Sequence, residues 1–280
     1  MKEESQPVVL VAEDHPVNQK VATLLLTNMN MEPRLADDGR LAVELYKMER
    51  PDIILMDIMM PVMDGFHASK EIRRLEFGRG THTPIIACTA LDESKIKEEC
   101  IAASLDDYLG KPYSKEILAT KMELWLGIRV QRKSLPQMAQ AFAAAAAPAD
   151  PIDRQHLRLL YGLEQLDDVL ALFLAVTETL MAQLDSAIQN QDLVSIRRIA
   201  HEIKSGSYAV SAIDVARLCV QLEEAAGNWP EVVKTYPALA LAFAKVRDFM
   251  QVKQVQGEET AGLLPPAINA AERHPGAPEG

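Results

Sequence analysis

The sequence predicts two domains of different class: a doubly wound α/β domain with a parallel sheet, followed by an all-α helical bundle. Three observations support this prediction. Short continuous apolar runs alternate with amphipathic segments over residues 1–126, which is typical of a parallel sheet covered by helices on both faces. After residue 151, apolar residues recur only at helical spacing. A chain of 280 residues, 48% of them hydrophobic, is long enough to bury two cores.

The first domain, predicted over residues 1–126, contains four strand candidates. They are the apolar runs 8–12, 53–56 and 85–88 and the weaker run 107–109. Helical periodicity in the intervening segments predicts helices at 17–28, 39–49, 65–75, 93–103 and 115–125. Because strands and helices alternate along the chain, each strand is expected to lie parallel to its neighbours.

The second domain is predicted over residues 152–255, after a linker. Residues 127–151 are assigned to this linker because prolines bracket an alanine run and the periodic pattern is lost. Helical spacing then predicts helices at 166–188, 192–205, 214–226 and 236–252. The break before the last helix is Gly227-Asn228-Trp229-Pro230. The tail 256–280, rich in Pro, Gly, Ala and Glu, is predicted to be disordered.

Composition indicates a cytoplasmic protein. The net charge of -11 argues against a nucleic-acid partner. The three cysteines are scattered and lack metal or disulfide spacing, which fits a reducing compartment. The polar start of the chain lacks an apolar signal core. Polar residues interrupt the apolar stretch 169–184, so we expect no direct membrane insertion.

Polar side chains follow four of the predicted strands. Glu13 and Asp14, Asp57, Thr89 and Lys111 stand where the successive strands end, and the carboxyl ends of parallel strands form the ligand edge of an open sheet. Three clustered carboxylates require a cation, and hard oxygen ligands with room for water favour Mg²⁺. The hydroxyl and the ammonium group would hold a phosphoryl group. A single acid here would be an ordinary solvated residue, but the complete set predicts a phosphoryl site.

Two histidines are further candidates. In the helix predicted at 192–205, the apolar residues form a stripe and His201 lies opposite it, next to basic residues that include Lys204. That arrangement suits phosphoryl chemistry, but it also describes an ordinary solvated helix face, and geometry alone leaves both interpretations open. His15 follows the acids directly and has no second histidine at ligand spacing, so we expect an exposed loop residue.

The segments VAEDHPVNQKVA, ILMDIMMPVMDGF, ACTA and DYLGKPYS together resemble the response-regulator receiver domain of hybrid histidine kinases. The resemblance covers about residues 7–126. It implies a five-stranded, flavodoxin-like sheet and a phosphoryl group carried by Asp57 as an acyl phosphate. It also implies that Thr89 and Lys111 hold the phosphoryl oxygens.

The same resemblance assigns the metal ligands and a switch residue. Asp14 and Asp57 would bind Mg²⁺ together with the backbone carbonyl of Met59, and Glu13 would act through water. Tyr108 corresponds to the aromatic switch that moves with Thr89, although a half-buried structural tyrosine is an alternative. The resemblance further implies a cis peptide bond between Lys111 and Pro112, where the energetic penalty is small.

The segment AHEIKSGSYAVSAIDVARLCVQLEE resembles the histidine phosphotransfer (HPt) motif, over about residues 152–247. The resemblance implies that His201 is phosphorylated. It also implies that Lys204 and Ser205 support that histidine and that Gly206 and Ser207 allow a close approach. Ser211 departs from the pattern, because glycine is frequent there.

These features predict a two-component phosphorelay protein that passes a phosphoryl group between Asp57, His201 and partner proteins. No segment resembles a kinase ATP site, so we expect a phosphotransfer protein that depends on a sensor histidine kinase and a downstream response regulator or HPt protein. It could be free-standing or the C-terminal part of a hybrid kinase. The alternative is an interaction switch in which His201 is inert. A phosphatase would need a general acid where Met59 stands.

Overall fold

A computed structural model describes residues 6–89, 100, 103–130, 150–161, 166–225 and 227–261. Nearly all of the predicted helix 93–103, most of the predicted linker and the end of the tail lie outside these residues. The first domain contains one sheet of five parallel strands in the order β2-β1-β3-β4-β5. The strands are β1 Val8–Ala12, β2 Glu32–Ala36, β3 Ile53–Asp57, β4 Ile85–Thr89 and β5 Asp107–Gly110. The predicted parallel sheet is confirmed.

Strand β2 was not among the predicted apolar runs. It reads EPRLA and pairs only with β1, at one edge of the sheet. An edge strand is not buried on both faces and tolerates a proline such as Pro33, because one side of its backbone has no strand partner. By contrast, every residue of β3 and β4 is buried, and these strands were visible in the sequence.

Four helices of the first domain are described: α1 Pro16–Asn28, α2 Gly39–Glu49, α3 Gly65–Glu76 and α4 Lys115–Leu126. Their starts are fixed by side chains that accept a hydrogen bond from the first turn of the backbone. Asp38, Asp64 and Ser114 do this for α2, α3 and α4, as expected of these residue types at helix starts. Unusually, His15 caps α1.

The second domain is helical throughout its described part, as predicted. It contains α5 Arg154–Tyr161, α6 Leu166–Gln189, α7 Leu193–Ala209, α8 Ile213–Ala225 and α9 Trp229–Ala261. The short helix α5 was not predicted. Helix α9 begins inside the predicted break and runs beyond the predicted end at 255, into the segment expected to be disordered. Pro230 fits the first turn of a helix, and good helix formers around Gly257 offset its cost of about 1 kcal/mol.

Among the described residues, α6 is the one helix that is long and apolar enough to cross a membrane by length and composition. We expected this stretch to be too short and too polar. Its apolar character has a simpler cause, because Val169, Phe173 and Leu184 are fully buried in the helical bundle. A core helix of a soluble bundle passes the same test.

The two domains pack against each other through α1. This helix contacts α6 and α7, and α4 contacts α5. One continuous apolar cluster contains Val17, Val21 and Leu25 of α1 together with Tyr161 and Phe173 of the bundle. A second cluster lies on the other face of the sheet, beneath α2 and α3. The helical domain therefore packs on the outer side of α1 and extends the apolar core of that face.

We expect Gly65→Ala to destabilise the first domain by about 1–3 kcal/mol, the usual cost of overpacking. Gly65 donates its N–H to the carbonyl of Ile58 (3.0 Å), and a Cβ there would lie 2.1 Å from the carbonyl oxygen of Asp57. Urea unfolding of the full chain measures the change. Gly110→Ala is the control, since a Cβ there meets no atom within 4 Å. Equal midpoints for the two variants would contradict the expectation.

Candidate functional site

Three carboxylates meet at the carboxyl edge of the sheet. Glu13 and Asp14 follow β1, Asp57 ends β3, and one oxygen from each lies within 4.8 Å of the others. The strand register explains their proximity, because Ala12 of β1 is aligned with Met56 of β3. Glu13 and Asp57 are buried, and Asp14 is half-buried. The structure thus brings the three predicted acids together.

Lys111 completes this cluster from the end of β5. Its Nζ lies 2.7 Å from Oδ2 of Asp57 and also forms an ion pair with Glu13. The backbone N–H of Lys111 donates to the carbonyl of Thr89 (2.7 Å), which holds the two predicted phosphoryl-binding residues side by side. Burial disfavours the ammonium ion, but the charges of Glu13 and Asp57 outweigh burial and raise the pKa of Lys111 well above its usual value.

The cluster remains short of positive charge, because one ammonium faces three acids. Burial, followed by the charges of Glu13 and Asp57, raises the pKa of Asp14 from 3.8 to about 7. A divalent cation would remove this repulsion, and a set of hard carboxylate oxygens suits Mg²⁺. The residues therefore fit the predicted metal. Met59 donates its backbone N–H to Oδ1 of Asp57 (3.1 Å), and the use of its carbonyl as a ligand stays a prediction.

Thr89 and Tyr108 lie on β4 and β5, where Tyr108 is aligned with Ala87. Thr89 is buried at the last position of β4. Tyr108 is half-buried, and the ammonium of Lys121 lies 5.4 Å from the centre of its ring. The switch role of Tyr108 stays a prediction. The peptide bond between Lys111 and Pro112 is cis, as the resemblance implied.

His15 is not the exposed loop residue that the sequence predicted. It is only 5% exposed, and its Nδ1 accepts a hydrogen bond from the backbone N–H of Val17 (3.3 Å). Burial, followed by the charge of Lys111, lowers the pKa of His15 to about 4. The expectation was wrong because His15 lies against Gly206 of α7, and contact with a second domain has no local sequence signal.

His201 lies on α7 with 37% of its side chain exposed. Its Nδ1 is 3.1 Å from Oε1 of Glu223 and 3.3 Å from Nζ of Lys204. Lys204 in turn is 2.7 Å from Oε2 of Glu223. These contacts lower the pKa of Glu223, although burial opposes them. The basic surroundings predicted for His201 are therefore partly neutralised by an acid on the neighbouring helix.

Glu223 was missed in the sequence because it lies on α8. Helical spacing relates residues one turn apart on the same helix, and it carries no information about the helix packed alongside. The only available signal was the acidic pair Glu223-Glu224 at the end of the phosphotransfer motif. Among the described residues, the buried Oε1 of Glu223 makes no hydrogen bond. It lies 3.1 Å from Nδ1 of His201, so it is available to an N–H of the histidine ring.

The other residues implied for the histidine site have different roles. Ser205 accepts a hydrogen bond from Nδ2 of Asn18 on α1 (2.8 Å). Ser207 is fully buried and donates to a backbone carbonyl of its own helix (2.6 Å), so it does not face a partner. Ser211 has a positive φ of 54°. A left-handed backbone conformation explains why glycine would suit that position.

An open cleft of about 680 Å³ lies between the two domains beside the acid cluster. Asp14 and His15 line the side formed by the first domain, and Val176, Leu180 and Glu202 line the side formed by the helical domain. The most exposed member of the acid cluster, Asp14, therefore faces a space that is large enough to admit a hydrated cation.

Comparison with known families divides the chain in the same way. Residues 9–123 match the response regulator receiver domain family. Residues 168–249 match the Hpt domain family. The two matches cover the sheet with its helices and most of α6 to α9.

Curated relatives contain the two domains within longer chains. The sensor protein GacS of Pseudomonas syringae is 29% identical over 219 residues, which is 78% of this chain and 24% of GacS. The aerobic respiration control sensor protein ArcB of Escherichia coli is 28% identical over 234 residues, which is 81% of this chain and 30% of ArcB. The chain thus spans less than a third of these two relatives.

Among solved structures, the receiver domain of sensor histidine kinase PA1611 from Pseudomonas aeruginosa is 39% identical. The match covers 44% of this chain and 99% of that one, with a TM-score of 0.41. That structure has a magnesium ion coordinated in its active-site cleft.

We expect Asp14→Asn to stabilise the metal-free chain at pH 8, by on the order of 1 kcal/mol, since one pKa unit corresponds to about 1.4 kcal/mol. Folding raises the pKa of Asp14, so its ionised form destabilises the folded state. The contribution of Asp14 to the free energy of unfolding of the wild type therefore falls as pH rises from about 4 to about 7. At low pH the wild type and the variant should be equally stable.

Thermal unfolding with EDTA or with MgCl₂ measures this effect. Mg²⁺ should stabilise the wild type more than Asp14→Asn, because a ligand that binds the folded state adds stability. Asp37→Asn is the control, since Asp37 is an exposed carboxylate on the same cleft. Equal unfolding temperatures for Asp14→Asn and the wild type at pH 8 in EDTA would contradict the expectation.

Proposed function

We propose that Asp57 and His201 are the two phosphoacceptors of this chain. The premise is that the chain joins a response regulator receiver domain to an Hpt domain and so belongs to the two-component phosphorelay proteins. The observation that carries the proposal is the contact between Lys111 and Asp57 within the acid cluster. It supplies a nucleophilic carboxylate, a fixed ammonium and a set of metal ligands at one point.

At the first acceptor, an oxygen of Asp57 attacks the phosphorus atom of the donor. A P–O bond forms as the donor's own bond to phosphorus breaks. Lys111 already lies at hydrogen-bond distance from Oδ2 of Asp57, so its ammonium can bind the phosphoryl oxygens once they are attached there. Thr89 lies beside Lys111. Mg²⁺, held by Asp14 and Asp57 with the Met59 carbonyl and by Glu13 through water, would supply further charge neutralisation.

At the second acceptor, the environment of His201 selects the reacting nitrogen. Oε1 of Glu223 lies 3.1 Å from Nδ1 and would hold a proton there. Lys204 also lies on the Nδ1 side (3.3 Å) and forms a closer ion pair with Glu223, so Nε2 is the nitrogen left to react. The lone pair of Nε2 then attacks the phosphorus of phospho-Asp57, the P–N bond forms, and the carboxylate of Asp57 leaves. The ring retains the proton on Nδ1 and becomes positively charged, so the carboxylate of Glu223 stabilises the product. The reverse transfer uses the same groups.

Partners follow from the absence of any nucleotide-binding motif in the sequence. The phosphoryl group must come from a sensor histidine kinase, on this polypeptide or another, and pass to a downstream response regulator or HPt protein. We place this exchange in the cytoplasm, where the acidic net charge of -11 keeps the protein soluble and away from nucleic acids.

We expect a phosphodonor such as acetyl phosphate to label the wild type at both acceptors and His201→Gln at Asp57 alone. Acyl phosphate is lost in base, whereas phosphohistidine survives base and is lost in acid, so the stability of the label identifies the residue. Asp57→Asn should abolish labelling at both positions, because His201 receives its group from Asp57.

His156→Gln is the matched control, since His156 is a histidine of the same domain outside the phosphotransfer motif. Base-stable label in His201→Gln would contradict the assignment of His201. If the wild type carries only the base-labile label and still binds its partners, the chain is an interaction switch and the relay proposal fails.

We expect Glu223→Gln to slow transfer from phospho-Asp57 to His201 by about tenfold, which corresponds to 1.4 kcal/mol. The amide cannot stabilise the positive charge on the phosphorylated ring as a carboxylate does. Rapid-quench labelling measures the rate. The ¹⁵N shifts of the imidazole should also show less proton on Nδ1, an effect that a merely structural role would not produce.

Glu224→Gln provides the matched control, because Glu224 is the exposed neighbour of Glu223 on the same helix. Equal transfer rates and equal ¹⁵N shifts for the two variants would remove Glu223 from the site.

A further inference from the structure

The ring of His15 rests directly on the backbone of the second domain. A Cβ atom at Gly206 would lie 2.6 Å from Cε1 and 2.8 Å from Nε2 of His15. These distances are shorter than atoms can tolerate, so only glycine at position 206 permits the observed approach. The ring cannot simply turn away, because its Nδ1 caps α1 and the side chain is buried.

The amide of Asn18 fixes the position of α1 against α7 next to this contact. Its Nδ2 donates to Oε1 of Glu13 (2.9 Å) and to Oγ of Ser205 (2.8 Å). Both donor hydrogens of one buried amide are therefore used, one towards the acid cluster and one towards the helix that carries His201. We call His15, Asn18, Ser205 and Gly206 the docking contact.

The surfaces fit closely on the side of the docking contact that Asn18 and Ser205 line, whereas the open cleft lies on the side of His15. The cavity there has a volume of only about 20 Å³, which is room for about one water molecule. Residues of both domains line it: Asn18, Val21, Lys111, Pro112 and Tyr113 from the sheet domain, and Tyr161, Ser205, Tyr208 and Ala209 from the bundle. Close packing with a satisfied polar pair is characteristic of a specific interface rather than of a loose encounter.

We propose that the receiver and Hpt domains of one chain dock on each other through the docking contact, and that a separate receiver or Hpt domain must displace this contact to reach either acceptor. The first half concerns contact alone. The second half rests on the proposed function, because it assumes that partners approach Asp57 and His201 over the same surfaces.

The docked partner is the same chain rather than a second copy. Helix α4, the last of the sheet domain, contacts α5, the first of the bundle. Val130, near the start of the predicted linker, and Ile152, just after its end, are both buried in the cluster that the domains share. A tether attached this close to the interface gives an effective concentration in the millimolar range, which a free copy does not reach.

The first experiment tests docking without any phosphoryl chemistry. Gly206→Ala should expose the amides of α1 to hydrogen exchange, because the added methyl group separates His15 from α7. Alanine favours a helix more than glycine does, so the bundle itself should not weaken. Adding His15→Ser should restore protection, since serine still caps α1 but removes the ring that would clash.

Unchanged exchange in Gly206→Ala, or no recovery in the double variant, overturns the docking contact. Protection of α1 that grows with protein concentration, together with a dimer in light scattering, would show docking to a second copy and overturns the same-chain assignment.

The second experiment tests competition, using phosphoryl transfer between two different chains. The donor is His201→Gln and the acceptor is Asp57→Asn. Adding Gly206→Ala to the donor frees its receiver domain, and adding Val21→Glu to the acceptor frees its Hpt domain. Transfer between chains should then rise by about tenfold or more, as the intramolecular competitor is lost. A rise of this size supports competition. If the original donor and acceptor and the pair with the added substitutions transfer at the same rate, competition is overturned.

If no phosphoryl group passes from donor to acceptor, with or without the added substitutions, the proposed function of His201 fails. The competition half of the inference then fails with it. The hydrogen-exchange result still decides the docking contact. The two failures are therefore distinguishable.

Discussion

The ion pairs of Lys111 hold the candidate site of the first domain together. Parallel strands bring Glu13, Asp14 and Asp57 to one edge of the sheet, where their negative charges oppose one another. A single buried ammonium from the end of β5 contacts two of them, and burial makes each of these interactions stronger than it would be in water. Burial, followed by the charges of Glu13 and Asp57, raises the pKa of Asp14. The repulsion among the three acids that one ammonium leaves uncompensated is the physical reason for a cation site.

The fold was predictable where burial is uniform. Strands β3 and β4 are buried on both faces, so their sequences are continuous apolar runs. Edge strand β2 escaped notice because its partial burial permits proline, arginine and glutamate. Helical periodicity located most of the helices, but it did not give the extent of α9, because one glycine among good helix formers does not end a helix.

The site was predictable where its residues follow strands, since the carboxyl edge of a parallel sheet collects whatever stands there. Two contributions were invisible for the same reason. Glu223 acts on His201 from a neighbouring helix, and His15 is buried by another domain. Neither relationship has a period or a spacing in the sequence, because each is created only when separate elements pack. The same limit explains why Ser207 was expected to allow a close approach although it lies inside the bundle.

The amide of Asn18 has a consequence for communication between the domains. It bonds at once to Glu13, in the acid cluster, and to Ser205, four residues beyond His201. Any movement of Glu13 towards a cation alters the amide's position, and any movement of α7 alters the support that Glu13 receives. Coupling of this kind is reciprocal by thermodynamic necessity. Asn18 is therefore a direct physical link between the acid cluster at the sheet edge and the helix that carries His201.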